Sequence, residues 1–202
     1  MKYAFDYLVA AIGLVLLFPV FVVVSILIKV DSSGPVFFRQ ERIGKGFRPF
    51  LIYKFRTMVE DAAGRGAAIT AVADPRITRL GGFLRQTKID ELPQLINVLK
   101  GEMSLVGPRP EVSRYVEMFR EDYAEILQLR PGITDLASLK YQSESEWLSR
   151  FDQAESAYVN QILPDKIMLA KEYVKRSSML VDIVLIMRTV PKLFGGKVKP
   201  IN

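Results

Sequence analysis

The 202-residue chain is long enough for one folded domain with an appended membrane segment, and half of its residues are apolar. It has no cysteine and no histidine, which excludes disulfides, thiol nucleophiles, imidazole bases and zinc sites built from those residues; chemistry must come from Asp, Glu, Lys, Tyr, Ser or Thr. The net charge of +6 is uneven, with six basic against three acidic residues in 31–60, seven against five in 61–110, and thirteen against thirteen in 111–202, a bias that suits phosphates, anionic lipid or nucleic acid.

The first element is an uncharged run of 21 residues, Leu8 to Ile28, between Asp6 and Lys29. At about 1.5 Å per residue it is long enough to cross a hydrocarbon core of roughly 30 Å. It is long for the core of a cleaved signal, and Ser32-Ser33-Gly34 is the nearest small-residue stretch that follows it. Pro19, in the middle, removes one backbone hydrogen bond and bends a helix. Lys29, Arg39, Arg42, Lys45 and Arg48 follow the run and favour the cytoplasm for that side. The residues alone leave a spanning helix and a helix that enters and leaves by one face equally open.

The turn-rich Asp31 to Pro35 leads into a strand-like Val36 to Gln40, and the aromatic run Phe47 to Phe55 pairs with it across a turn at Gly44-Lys45-Gly46. No third glycine at dinucleotide-binding spacing and no Gly-Lys-Ser/Thr occur, so Rossmann and P-loop readings fail. Residues 60–75, rich in Ala and Gly, read as a loop, and Arg79 to Lys88 as a short basic helix. Leu92, Leu95, Ile96 and Leu99 then predict one packed helix face, with Pro93 in the first turn, Gly101 as the C-terminal stop and Asp90-Glu91 at the N-terminus. A short strand is expected over Glu102 to Val106, and Gly107-Pro108-Arg109-Pro110 as a rigid turn presenting one arginine. Helical patterns follow at 111–128, 152–176 and 179–194, with Arg130-Pro131-Gly132-Ile133-Thr134 and a loop around Trp147 between the first two and a basic tail at Lys197 and Lys199.

Asp90 and Glu91 are the strongest candidates for chemistry. Aspartate is an ordinary helix cap, but amides and dipole at a helix start also favour an ionised carboxylate, as a nucleophile or a metal ligand requires. Arg85 and Lys88 precede the pair, and Arg109 and Arg130 each sit beside proline-fixed turns, which suits bidentate phosphate recognition. Carboxylates and arginines beside a membrane segment point to phosphoryl chemistry on a lipid, with Mg2+ bridging carboxylate and phosphate oxygens.

The ordered series Tyr53-Lys54-Phe55-Arg56-Thr57-Met58, Asp90-Glu91-Leu92-Pro93-Gln94, Gly107-Pro108-Arg109-Pro110 and Arg130-Pro131-Gly132-Ile133-Thr134 resembles the bacterial sugar transferase family, the monotopic phosphoglycosyl transferases that begin glycan assembly. The resemblance runs from the membrane segment to the last helix. It implies an α+β, mainly helical fold: a re-entrant membrane helix over 1–30, broken near Pro19, and a small α/β catalytic domain over 31–202 with amphipathic interfacial helices, at the cytoplasmic face of the bacterial inner membrane. It further implies that Asp90 attacks the sugar-bearing phosphate of a UDP-sugar, that UMP leaves, and that polyprenyl (undecaprenyl) phosphate then takes the sugar phosphate from Asp90. Glu91 matches the second carboxylate of the dyad; Asp90 and Glu91 would hold Mg2+, and Arg85, Arg109, Arg130 and Lys54 would bind substrate phosphates. Two stretches depart from the family pattern: Phe18 stands where serine usually precedes the proline, and Asp135 and Leu136 to Gln142 replace a Gly and a Gln-Val-x-Gly-Arg stretch.

A non-catalytic membrane adaptor binding lipid phosphates or partner proteins is the second reading; it accounts for the basic bias but not for carboxylates and arginines together. Nucleic-acid binding is disfavoured because the basic residues form no stripe interleaved with aromatics. A homodimer is compatible with the chain.

Overall fold

The computed structural model describes residues 2–60, 74–141 and 144–193. Most of the predicted loop at 60–75, and Lys197 and Lys199, lie outside the described residues. The described residues are mainly helical with two small sheets.

Helix α1 spans Lys2–Asp31, and its helical assignment runs through Pro19 without interruption. At 30 residues it is about 45 Å of helix, the one helix among the described residues long and apolar enough to cross a membrane. Its buried residues lie towards its two ends, Asp6 and Ala10 at one and Val24 and Ile28 at the other. Between them Val15 is 74% exposed, Leu16 71% and Phe18 65%.

Strands β1 (Phe37–Ile43) and β2 (Pro49–Phe55) form an antiparallel hairpin in the register Phe38↔Lys54 and Arg39↔Tyr53. β1 runs three residues beyond the expected Gln40 because Glu41, Arg42 and Ile43 pair with Leu51, Phe50 and Pro49; Ile43 N–H also finds the Glu111 carbonyl at 3.0 Å. The connecting turn holds Gly46 and Phe47 at φ of +65° and +60°.

Helix α2 (Arg79–Gln86) starts at Thr78, whose hydroxyl accepts the Gly81 amide. Lys88, left-handed at φ +59°, then reverses the chain into a single 3-10 turn, Ile89–Glu91. Helix α3 follows only at Gln94–Leu99. The expected helix start at Asp90-Glu91 is therefore corrected: Pro93 has no N–H to return to the Ile89 carbonyl, so the regular ladder begins after it. The expected apolar face is corrected as well. Gln94, Leu95, Asn97 and Val98 are buried, whereas Leu99 is exposed. Asn97 is inside because its amide closes the edge of β2, accepting Tyr53 N–H at 3.0 Å and donating to the Leu51 carbonyl at 2.7 Å.

Strand β3 (Ser104–Val106) pairs in parallel with β4 (Gly132–Thr134), a strand that three residues of sequence gave no periodicity to announce. A Cβ on either Gly107 or Gly132 would run into backbone of the other, so the two proline-containing turns meet there. The helix expected over 111–128 is two, α4 (Ser113–Met118) and α5 (Arg120–Ile126), broken at Phe119. Helix α6 (Leu136–Lys140) begins at a capping box between Asp135 and Ser138. Trp147 lies in a short helix, α7 (Glu144–Leu148), not in a loop. The predicted 152–176 helix becomes α8 (Ala154–Ala157), a π-helical segment (Tyr158–Ile162) and α9 (Leu163–Arg176), and α10 covers Met179–Leu193.

Three apolar clusters hold this together. One joins β1 to α4, α5 and α7–α9 through Tyr115, Ile126, Leu148 and Tyr158. A second places Ala10 of α1 against Phe50, Leu95, Met103, Tyr173 and Leu185. The third clasps Val24 and Ile28 to Phe55 and Leu84. Helix α1 is thus packed on the rest of the fold towards both ends.

Candidate active site

Asp90 and Glu91 sit in the 3-10 turn between α2 and α3, and both are buried. Neighbouring residues treat them differently. Glu91 Oε1 accepts from Lys54 Nζ and from Arg109 Nη2, each at 2.7 Å. Asp90 Oδ1 is buried with no hydrogen-bond partner among the described residues. Native interiors satisfy nearly all buried polar atoms; Asp90 Oδ1 is the one carboxylate oxygen among the described residues left in this state, the other side-chain atoms so left being nitrogens of Arg42 and Arg56.

The electrostatics follow. Burial pushes the Asp90 carboxyl above its usual range, and Glu91 beside it pushes the same way, against the pull of Lys54, Lys88 and Arg85. Burial works on Glu91 too, but Arg109 and Lys54 outweigh it and hold Glu91 well below the ordinary carboxylate range. Burial lowers Lys54 in spite of Glu91, and Glu91 raises Arg109. Of the two carboxylates only Glu91 is held acidic, by Arg109 and Lys54 and not by helix amides; Asp90 is the less acidic member because desolvation dominates there. Two adjacent carboxylates with pKa values driven apart are a pattern typical of functional sites.

Each cation is delivered by a separate piece of local structure. Lys54 comes from β2, two residues before Arg56, which reaches across to the end of α1 and donates to the Ser32 carbonyl at 2.7 Å. Thr57 accepts Arg85 Nε at 2.8 Å, which holds that guanidinium on the last turn of α2, where Asp90 is among the charges acting on it. Arg109 rides on the turn after β3. Behind that turn Arg42 donates to the Pro110 carbonyl and to Glu111 Oε2, both at 3.4 Å, and Tyr158 donates to Glu111 Oε1 at 2.7 Å. Tyr158 opens the π-helical segment, a local geometry that tends to occur at functional sites.

The fold thus gathers Asp90, Glu91, Lys54, Arg85 and Arg109. Arg130 lies elsewhere, its guanidinium 4.1 Å from the Tyr3 ring centroid and bonded to Tyr7 Oη at 3.1 Å. Pro19 is exposed in the middle of α1. Sequence reasoning missed Arg42, Glu111 and Tyr158, and it quoted Arg56 and Thr57 only as part of a motif. The clue for Glu111 was its position directly after the Gly107–Pro110 turn; Arg42 and Tyr158 gave none.

Among the described residues no three carboxylates cluster as a ready-made metal site. The donor set fits Mg2+ in its usual phosphate-dependent manner, which needs only one or two carboxylates with the remainder from substrate phosphate and water. The unpartnered Asp90 Oδ1 would supply one such oxygen.

Comparison with known proteins gives the same direction. The sequence profile described as bacterial sugar transferase matches residues 1–196. A Bacillus subtilis protein named putative undecaprenyl-phosphate N-acetylgalactosaminyl 1-phosphate transferase is 49% identical over 72% of this chain and 80% of its own length. UDP-N-acetylgalactosamine-undecaprenyl-phosphate N-acetylgalactosaminephosphotransferase of Aeromonas hydrophila is 36% identical over 96% of this chain, and UDP-glucose:undecaprenyl-phosphate glucose-1-phosphate transferase of Escherichia coli is 35% identical over 98%. This chain spans 44% and 41% of the length of those two longer relatives. With the profile covering residues 1–196 and relatives of 35–49% identity, the chain belongs to the bacterial sugar transferase family.

Proposed function

We propose that this protein transfers a sugar-1-phosphate from a UDP-sugar to undecaprenyl or a similar polyprenyl phosphate, in two displacements at one phosphorus. An Asp90 carboxylate oxygen attacks the sugar-bearing phosphorus of the UDP-sugar; the bond to the bridging oxygen breaks and UMP leaves with that oxygen. The polyprenyl phosphate oxygen then attacks the same phosphorus and expels the Asp90 carboxylate, giving polyprenyl-diphosphate-sugar. The observation that carries this reading is the buried, unpartnered Asp90 Oδ1 next to a Glu91 already neutralised by Lys54 and Arg109. Burial leaves Asp90 poorly solvated and hence nucleophilic once ionised, while the adjacent cations offset phosphate charge. Arg85, Arg109 and Lys54 bind the donor's phosphates, and Arg130, beside the membrane helix, is the cation for the lipid side. Asp90 and Glu91 are the residues that would hold Mg2+, whose contribution when bound is to offset charge on phosphate oxygens. The names of the relatives support the reaction class. The expected result is UMP release when membranes containing the protein receive undecaprenyl phosphate and one of a panel of UDP-sugars; no UMP from any donor would defeat the assignment.

The same proposal includes a re-entrant α1 with the domain at the cytoplasmic face of the inner membrane. Lys2 Nζ donates to the Val106 carbonyl at 3.0 Å and pairs with Asp182, and Asp6 accepts from Ser104 Oγ at 2.7 Å. At the other end Arg56 holds the carbonyls of Ile28 and Ser32. A helix crossing a bilayer cannot dock both ends on one body, whereas a helix bent at Pro19 dips its exposed middle into lipid and returns. Exposed Leu180, Ile183, Val184 and Met187, at helical spacing on α10, supply a second apolar face. Thiols introduced at positions 4 and 33 should both be labelled from the cytoplasmic side; labelling from opposite sides would establish a spanning helix.

A further inference from the structure

Away from the dyad, three tyrosines and three cations form one continuous surface. Arg39 and Lys100 lie on the Tyr53 ring, each 5.2 Å from its centroid. Gly101, next to Lys100, has no side chain to separate it from Tyr7 Oη and Arg130 Nη2, which a Cβ there would meet at 2.8 and 3.6 Å. Arg130 in turn stacks on Tyr3 and lies 5.8 Å from the Tyr7 centroid. The sole carboxylate partner within this group is Glu102, 2.9 Å from Lys100 Nζ. Among the described residues Arg39 and Arg130 have no ion pair. Leu8, next in sequence to Tyr7, and Leu99, next to Lys100, are exposed apolar side chains.

We infer that the face made by Arg39, Tyr53, Lys100, Arg130, Tyr7 and Tyr3 docks on the phosphate headgroups of anionic phospholipid; this rests on the re-entrant, membrane-seated reading above. Tyrosines of this kind settle at the headgroup level, where the apolar ring and polar hydroxyl are both satisfied. Two unpaired guanidiniums at that depth meet the negative potential of an anionic leaflet. Nucleic acid fits less well, because the ring faces it would stack on already carry cations. The pairing also gives the basic residues of the hairpin a use. Lys54 and Arg39 lie on neighbouring positions of opposite strands and point to opposite sides of the hairpin, Lys54 to the dyad and Arg39 to the lipid.

The test offers the full-length protein, diluted from detergent, equal amounts of two distinguishable vesicle populations: phosphatidylcholine alone and phosphatidylcholine with phosphatidylglycerol. Wild type should favour the phosphatidylglycerol vesicles. The preference should fall about fivefold for each cation removed, and so roughly 25-fold in Arg39→Gln/Arg130→Gln, and it should fade as salt is raised. Arg39→Gln/Lys100→Gln should lose the preference while releasing UMP normally in detergent, which separates this inference from the proposed reaction. Equal partitioning of wild type, or unchanged preference in both double variants, overturns it. So does a preference that polyprenyl phosphate produces and phosphatidylglycerol does not, since the face would then serve the acceptor alone. If UMP release fails in wild type, the reaction falls but the partitioning result still decides the surface.

Discussion

Asp90→Asn should abolish UMP release, by on the order of 10^4-fold or more, and yet leave the protein as stable as wild type or more so. The two halves of this expectation have one cause. Asp90 is buried with an unpartnered oxygen, and burial raises its pKa in the folded protein. A carboxyl whose folded pKa lies above its unfolded value binds its proton more tightly when folded. Its contribution to stability is therefore favourable below the unfolded pKa, about 3.9, and is lost as pH rises through the folded pKa, so at neutral pH the ionised group works against folding. Asparagine removes that cost and removes the proposed nucleophile. Thermal melting alongside a UMP assay checks both, and mass spectrometry of wild type incubated with donor alone should find the sugar-phosphate adduct on Asp90. An adduct on another residue, or a variant that still turns over, would sink the assignment. In wild type, activity should fall on the acid side as Asp90 protonates, at a pH above that of a free aspartate.

Arg109→Met should produce the opposite balance, a large loss of stability together with a loss of rate. Arg109 Nη2 lies 2.7 Å from Glu91 Oε1, and the Glu91 side chain is only 11% exposed against 31% for Arg109. Removing one member of a largely buried pair strands the other; about 3 kcal/mol is reasonable here, at the lower end because the guanidinium retains solvent and Lys54 still holds Glu91. For a chain of this size that is a drop in melting temperature of roughly 6–12 °C. The pH dependence identifies the pair. Glu91 is held well below its ordinary value, so the pair's contribution is complete above the unfolded glutamate pKa of about 4.3 and disappears as pH falls through the depressed folded value. The gap in melting temperature between wild type and variant should be full at pH 7 and close in acid. A gap that does not change with pH would mean that Arg109 acts by packing alone. Turnover should fall as well, by about 100-fold or more, because the proposed reaction uses the same guanidinium to bind the donor's phosphates.

These two results turn on neighbours in space, and the sequence supplied only some of them. It named Asp90, Glu91, Lys54, Arg85 and Arg109, because chemistry concentrated in short motifs is legible without coordinates. It also specified the long apolar N-terminal helix, since 21 uncharged residues leave few alternatives. It misread the start of α3 and its buried face. There a left-handed Lys88 and a proline interrupt the ladder, and polar Asn97 is inside because its partners lie on β2. It missed α6, β4 and the break at Phe119 because elements of three to seven residues carry too little periodicity to register.

What the amino acids alone determined was an apolar helix, a carboxylate pair and a supply of cations in fixed order. The tertiary structure decided which carboxylate is neutralised and which is left bare, that Arg130 goes to the tyrosines of α1 and not to the dyad, and that Arg42, Glu111 and Tyr158 stand behind Arg109. The physical reason is that pKa and ion pairing depend on burial and on distances of a few ångströms, and those are set by residues as far apart along the chain as Glu111 and Tyr158 or Lys2 and Asp182.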